Sequence, residues 1–298
     1  MTDMIADNRD GSAGAAALYI VATPIGNLGD MSRRALDVLQ SVDLIAAEDT
    51  RHSSRLTQHF GIGTRLVSYH DFSTRAREDS ILDDLHAGRS VALISDAGTP
   101  LISDPGYTLV ARAREQGIAV IPVPGPCALT TALSAAGLPT DRFAFEGFPP
   151  HKSGARKQLF ESLAAEQRTL VFYESPHRIS ESVQDMRDVF GGERQAVICR
   201  ELTKTWETIH GDALAALCEW LQADDNNRRG EFVVLVHGAR EPEAEALSAD
   251  AERTLKILLE ELPVKQAAAL AAKISGLKKN LLYKRALELG GSQEPPAE

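Results

Sequence analysis

Cysteine is scarce in this 298-residue chain, and Cys127, Cys199 and Cys218 lie far apart inside apolar segments. An odd count at such spacing argues against a disulfide framework and against a zinc site. The histidines are scattered without metal-ligand spacing, so no metal is expected. No apolar run reaches the roughly 18 residues of a membrane-spanning helix. The first 16 residues carry Asp3, Asp7 and Asp10 and lack the basic start and apolar core of a signal peptide. They read as a flexible leader, and the compartment as cytoplasmic. Positive charge is outweighed as well, giving a net charge of −10. That balance speaks against indiscriminate nucleic-acid binding, which sums many phosphate contacts. Motifs are missing too: no G-x-G-x-x-G after a strand, no G-x-x-x-x-G-K-[ST], no H-E-x-x-H and no G-x-S-x-G. Dinucleotides, nucleoside triphosphates, zinc-protease chemistry and the nucleophile elbow are thereby disfavoured.

What is present is ordinary for a globular protein, 43% hydrophobic and 25% charged, and long enough for two domains with an appendage. Leu18 to Thr23 reads as a buried strand ending in the turn TPIGNLGD, and Asp30 as the N-cap of a helix to about Gln40. Strands follow at Val42 to Ala47, Leu66 to Tyr69, Val91 to Ile94 and Ile118 to Val123. Helices come between them, one around Ile81 to Leu85 and one around Leu109 to Ala113. This alternation predicts a mainly parallel sheet covered on both faces. Pro122, Pro124 and Pro126 mark a rigid crossing, so the domain boundary is placed near residue 125. A second α/β unit has strands at Phe143 to Glu146, Thr169 to Tyr173, Ala196 to Arg200, Glu207 to His210 and Phe232 to Val236. Its helices cover about 153 to 165, 177 to 190 and 212 to 221, and its sheet is expected to be mixed. The expected organisation is therefore a leader (1–16), an N-terminal α/β domain (17–125), a C-terminal α/β domain (126–240), and a linker with a small helical domain (241–298). Glu241 to Asp250 is the charged linker, and Gly276 sits at the turn of a weak helix-turn-helix outline.

In a parallel sheet the loops Thr23 to Asp30, Glu48 to Arg51 and Ser95 to Gly106 share one edge, outside the carboxyl ends of the strands. The run LISDAGTPLISDPG is the densest of these. Gly98 permits close backbone approach, and Asp96 and Asp104 offer carboxylates at the rim. The plainer reading of Asp104 and Pro105 is the cap and first residue of the next helix.

The segments Ala22 to Asp30, Ala47-Glu-Asp-Thr-Arg51, Ser95 to Gly106, Pro124-Gly-Pro126 and Phe172-Tyr-Glu-Ser-Pro-His-Arg178 resemble the tetrapyrrole methylase superfamily, and within it a branch that modifies small-subunit ribosomal RNA. The resemblance runs in order from about residue 17 to 289. It implies S-adenosyl-L-methionine as methyl donor, held between two α/β domains, and 2′-O-methylation of a cytidine in the decoding region. A homodimer acting on ribosomal RNA or on the 30S subunit is implied too. Matched by position, Thr23, Pro24 and Ile25 would wall the cofactor, and Ser95, Asp96, Ala97 and Gly98 would approach it. Leu101 and Ile102 would cover it, with Cys127, Ala128, Tyr173 and Glu174 completing the contact. Arg51, His52, Lys152, Arg156, His177, Arg178, Arg200 and Lys204 are the expected RNA contacts, extended by Lys278, Lys279, Lys284 and Arg285. Asp49, Glu201 and Lys204 are weighed as a base for the ribose hydroxyl, and none is assigned. Two rivals stay open: methylation of a tetrapyrrole or other small metabolite by the same fold, and a non-catalytic nucleic-acid-binding module.

Overall fold

The computed structural model describes residues 16–70, 75–239 and 247–290. Nearly all of the leader, and linker residues 241–246, lie outside the described residues. Two five-stranded sheets share one compact unit that ends at Gly238, and the C-terminal helices form a second unit from Ala239.

The first sheet comprises β1 (Leu18–Val21), β2 (Leu44–Ala47), β3 (Leu66–Ser68), β4 (Val91–Ile94) and β5 (Val120–Val123). Its order is β3-β2-β4-β1-β5 and every pairing is parallel, as the alternation of strands and helices predicts. Strands buried on both faces have no reason to alternate apolar and polar residues, which is why LYIV, LIAA and VALI are continuous apolar runs. The two-residue period still sorts their side chains. Tyr19, Ile45 and Ile94 meet Ala35, Val38 and Leu39 of α1 (Arg33–Ser41) on one face. Leu18 and Leu93 meet Ile81, Leu82 and Leu85 of α3 (Arg75–His86) and Leu109 of α4 (Tyr107–Glu115) on the other.

The second sheet comprises β6 (Phe143–Gly147), β7 (Thr169–Glu174), β8 (Gln195–Arg200), β9 (Thr208–Ala213) and β10 (Phe232–Val236), in the order β6-β7-β10-β8-β9. It is mixed: β6 runs parallel to β7, while β10 is antiparallel to both β7 and β8, and β8 to β9. One face packs on α6 (Ser153–Leu163), α7 (Ile179–Phe190) and α8 (Leu214–Ala223) through Phe160, Ile179, Val183 and Leu217. The other face presents Val171, Cys199 and Val233 to α5 (Ala128–Ala135). Ile25 and Ile102 from the loops of the first sheet join that cluster, so the two sheets meet through loops, where a cavity remains.

Several local expectations are corrected. Ser32, not Asp30, caps α1, accepting a hydrogen bond from the Ala35 amide at 3.1 Å. Asp30 instead closes a short 3-10 turn over Leu28–Asp30, with Asn27 as its cap. Neither Asp104 nor Pro105 opens a helix, because α4 starts at Tyr107 after Gly106. β9 extends to Ala213, beyond the expected stop at His210. A helix also follows β2, where the sequence suggested only a loop. This α2 (Thr50–His59) has Leu56 as its sole large apolar residue and buries Ser53 and Thr57, so no hydrophobic stripe announces it.

The C-terminal unit is α9 (Ala249–Glu261), α10 (Val264–Ser275) and α11 (Lys279–Gly290) around Leu255, Ala268, Ala271, Leu282 and Ala286. Gly276, at φ +73°, ends α10 in the left-handed conformation that glycine adopts most cheaply.

Candidate functional site

At the carboxyl edge of the first sheet, the loops after β1 and β4 are bridged directly. The Thr23 amide donates to the Gly98 carbonyl at 2.9 Å and the Gly98 amide to the Thr23 carbonyl at 3.0 Å. The buried Thr23 hydroxyl donates to the Ser95 carbonyl. Gly98 sits at φ +86°, and a Cβ there would lie 3.3 Å from Ile25 Cγ2. The β2 loop is tied in by the Asp49 amide, which donates to Asp96 Oδ1 at 3.0 Å, and the β5 loop by Thr99 Oγ1 donating to the Pro126 carbonyl at 2.9 Å. From the second sheet, the Tyr173 hydroxyl accepts from the Leu129 amide at 3.1 Å. Burial, with Cys127 close by, pushes the Tyr173 hydroxyl far above its usual range, so it stays protonated.

These ties frame a cavity of about 310 Å³, within the size range of small-molecule sites. Ile25, Ile102, Phe148, Leu202 and Val233 supply apolar wall, and the rings of Phe148 and Tyr173 meet at 5.6 Å. Glu48, Asp96, Asp104, Glu174 and Glu231 also line it, whereas no Lys, Arg or His among the described residues does. Ala97, Gly98, Cys127 and Ala128 complete it, so most of the expected cofactor set converges here.

Four members of that set lie outside this lining, Thr23, Pro24, Ser95 and Leu101, and a fifth, Glu174, lines it with its carboxylate already engaged. Leu101, at φ +72°, packs against the core of the first sheet and beneath Gly106, outside the cavity lining. The Glu174 carboxylate is buried and engaged by Arg178 (2.9 Å), the Ser175 amide (2.7 Å) and the Ser182 hydroxyl, so it acts as an anchor of its strand end. Cys199 is inert, its thiol pushed up to about 12 chiefly by burial.

A second cleft, about 430 Å³, adjoins the cavity through a common wall of Ile25, Asp96, Ala97 and Glu231. Thr23, Pro24 and Ser95 line this side, together with Gly26, Leu28, His52, Arg55, Leu56, His59 and Lys204. The Lys204 side chain lies across Gly26, where any Cβ would overlap it. Its ammonium is held by Glu201 at 3.0 Å and Glu231 at 2.8 Å. Burial would lower the Lys204 pKa, but its two carboxylate partners outweigh that and raise it. Glu201 and Thr203 of the same strap hold positive φ, at 52° and 67°.

The three residues weighed as a base therefore all have structural work. Asp49 caps α2 and pairs with Arg51, Glu201 binds Lys204 and the Glu231 amide, and Lys204 is ion-paired.

Among the expected RNA contacts, Arg156 is corrected. It is 0% exposed, with Nε donating to Asp185 at 2.8 Å and Nη2 paired with the same carboxylate at 2.6 Å, so no phosphate reaches it. Arg178 is likewise engaged with Glu174 and the Pro149 carbonyl. Arg200 fastens the 201–207 strap through the carbonyls of Trp206 and Arg229. Arg51, Lys152 and His177 are exposed but line neither cavity, whereas His52 and Lys204 line the second cleft. Sequence reasoning missed Arg55 and His59 there, and Phe148, Leu202 and Glu231 in the first cavity. The spacing of His52, Arg55 and His59 was the available signal, hidden because α2 was not recognised as a helix.

Two α/β sheets meeting at a loop-built acidic cavity define a class. The family model for tetrapyrrole (corrin/porphyrin) methylases matches residues 17–218, and the chain belongs to that family. The fold is that of uroporphyrin-III-C-methyltransferase from Thermus thermophilus (19% identity, TM-score 0.52, covering 74% of this chain and 94% of that one). Diphthine synthase is similar at 14% identity, with a TM-score of 0.55 and coverage of 74% and 90%.

Within the family the chain falls with ribosomal RNA small subunit methyltransferase I. The protein of that name from Vibrio cholerae is 58% identical over 95% of this chain and 98% of its own length. That from Escherichia coli O157:H7 is 57% identical over 96% and 98%. A model described as the RsmI C-terminal HTH domain matches residues 245–290, spanning α9 to α11.

Proposed function

We propose that this chain transfers a methyl group from S-adenosyl-L-methionine to the 2′ oxygen of a cytidine ribose in small-subunit ribosomal RNA. The observation that carries the reading is the pair of adjoining cavities, one whose charged lining is acidic and the other bordered by the basic side chains of His52, Arg55, His59 and Lys204, with Asp96 and Glu231 on the boundary they share. The residues present fit the cofactor. The Asp96 carboxylate suits a cationic group of the cofactor, Phe148 and the aliphatic wall suit an adenine, and Gly98 lets the backbone come close. When bound, the cofactor supplies an electrophilic methyl on a sulfonium.

The chain's own part is positioning. Ile25, Asp96, Ala97 and Glu231 border both cavities, so donor methyl and acceptor hydroxyl would meet directly at that boundary, and holding two reactants in line can supply several kcal/mol of the barrier, up to roughly 7–11 in well-oriented systems. No side chain is given the role of base. The acidic lining disfavours a polycarboxylate tetrapyrrole in the first cavity, and exposed Tyr107 and Trp206 (76% and 72%) offer apolar surface for a second copy in a homodimer. No helix among the described residues is long and apolar enough to cross a membrane, and the ribosomal substrate argues for the cytoplasm.

The test is transfer of labelled methyl from S-adenosyl-L-methionine to small subunits lacking the modification, alongside naked ribosomal RNA and a tetrapyrrole precursor. An alkali-resistant linkage at one labelled ribose is expected. Label on the tetrapyrrole alone would overturn the substrate and keep the fold, and absence of cofactor binding would favour a non-catalytic RNA-binding module.

A further inference from the structure

Helix α2 carries a row of basic side chains that no motif announces. Thr50–His59 contains Arg51, His52, Arg55 and His59 and no acidic residue, in a chain whose net charge is −10. Positions 52, 55 and 59 are three and four residues apart and so share one face, about 10 Å long at 1.5 Å per residue. Thr57 is turned inward on the opposite side, and buried Ser53 lines the cleft beside them. All three cationic-type side chains are exposed and line the second cleft. Arg51 is occupied by Asp49, whereas Arg55 has no ion pair among the described residues. Lys204, held by Glu201 and Glu231, lines the same cleft, and half-buried Leu56 supplies an apolar patch beside the basic side chains.

We infer that His52, Arg55 and His59 grip the phosphodiester flanking the target ribose, on the methyltransferase reading given above. The electrostatic division between the cavities sets the orientation. A phosphate is repelled by Asp96 and Glu231 on the shared boundary and by the acids beyond it, and attracted to Arg55 on α2, so a nucleotide seated in the cleft keeps its phosphate on the helix and turns its sugar toward the boundary of Ile25, Asp96 and Ala97. Arg55 is the anchor, because its planar fork matches two phosphate oxygens at once.

The test is steady-state methylation of unmodified small subunits by Arg55→Glu, Arg55→Lys and His59→Ala, with RNA affinity measured from low to high salt and cofactor affinity by calorimetry. Arg55→Glu is expected to raise KM about 10-fold or more with kcat within about twofold. Arg55→Lys should recover part of the loss, and each lost contact should flatten the salt slope by about 0.7. Cofactor affinity should stay at the wild-type value, which also reports that the variants fold. A wild-type KM and salt slope in Arg55→Glu, with the wild type active on RNA, would overturn the grip and leave the methyltransferase reading intact. Loss of cofactor affinity in both Arg55→Glu and His59→Ala would overturn it as well, assigning α2 to fold support. A wild-type enzyme that labels only a tetrapyrrole would overturn both readings.

Discussion

At the scale of residues, the site depends on a few positions that admit no substitute. Gly98 combines a left-handed φ with contact to Ile25, so Gly98→Ala should lose about 1–2 kcal/mol of stability and most of the cofactor affinity. Denaturant unfolding and calorimetric titration measure the two losses, and wild-type affinity would remove Gly98 from the cofactor site. Arg156 shows how residue type misleads. A basic residue in HKSGARK reads as a phosphate ligand, yet it is sealed against Asp185 beneath α6 and α7. Removing one partner of a buried pair leaves the other charged and unpaired, so Arg156→Met should cost about 3–5 kcal/mol in chemical denaturation. Arg156→Met with Asp185→Leu should cost less than Arg156→Met alone, and neither should alter the salt dependence of RNA binding.

At the scale of elements, the starts of α1, α6, α7 and α8 were legible to within a turn, but their caps depended on backbone geometry. Ser32→Ala should cost about 1 kcal/mol in thermal unfolding, while Asp30→Ala should be close to neutral. Ion pairs between α6 and α7 contribute to the acid response of the fold. Lys157, followed by Arg187, holds the Asp188 carboxyl at about 2, below its ordinary 3.8. The unfolded chain therefore takes up that proton first as pH falls. The contribution is full above about pH 5 and is lost between about pH 4 and 2. A melting curve taken against pH should fall over that window, and Lys157→Met should shallow the fall. A slope that Lys157→Met leaves unchanged would remove this pair from the acid response.

At the scale of the molecule, the α/β unit ending at Gly238 holds both cavities, and the helical unit has its own core. Chain ending at Gly238 should therefore keep wild-type cofactor affinity while binding RNA more weakly, through loss of Lys278, Lys279, Lys284 and Arg285. Calorimetry with the cofactor and an RNA filter assay across salt concentrations check the two halves of that expectation. Loss of cofactor binding on truncation would tie the two units into a single functional body.

The sequence by itself determined the first sheet, because strands buried on both faces must be continuous apolar runs and short parallel strands require helical crossovers. It also determined which loops carry the site, since Gly, Pro and Asp cluster where strands end. The family likeness implied the cofactor, which no composition or spacing could. Only the tertiary structure decided which basic residues are free and which are buried, because an arginine beside a carboxylate from another helix looks in sequence like any other arginine. It alone placed Phe148, Leu202 and Glu231 in the cavity, as they come from the second sheet and its loops, far along the chain. It alone revealed α2, whose helix rests on a cap and a buried polar face that hydrophobic periodicity does not register.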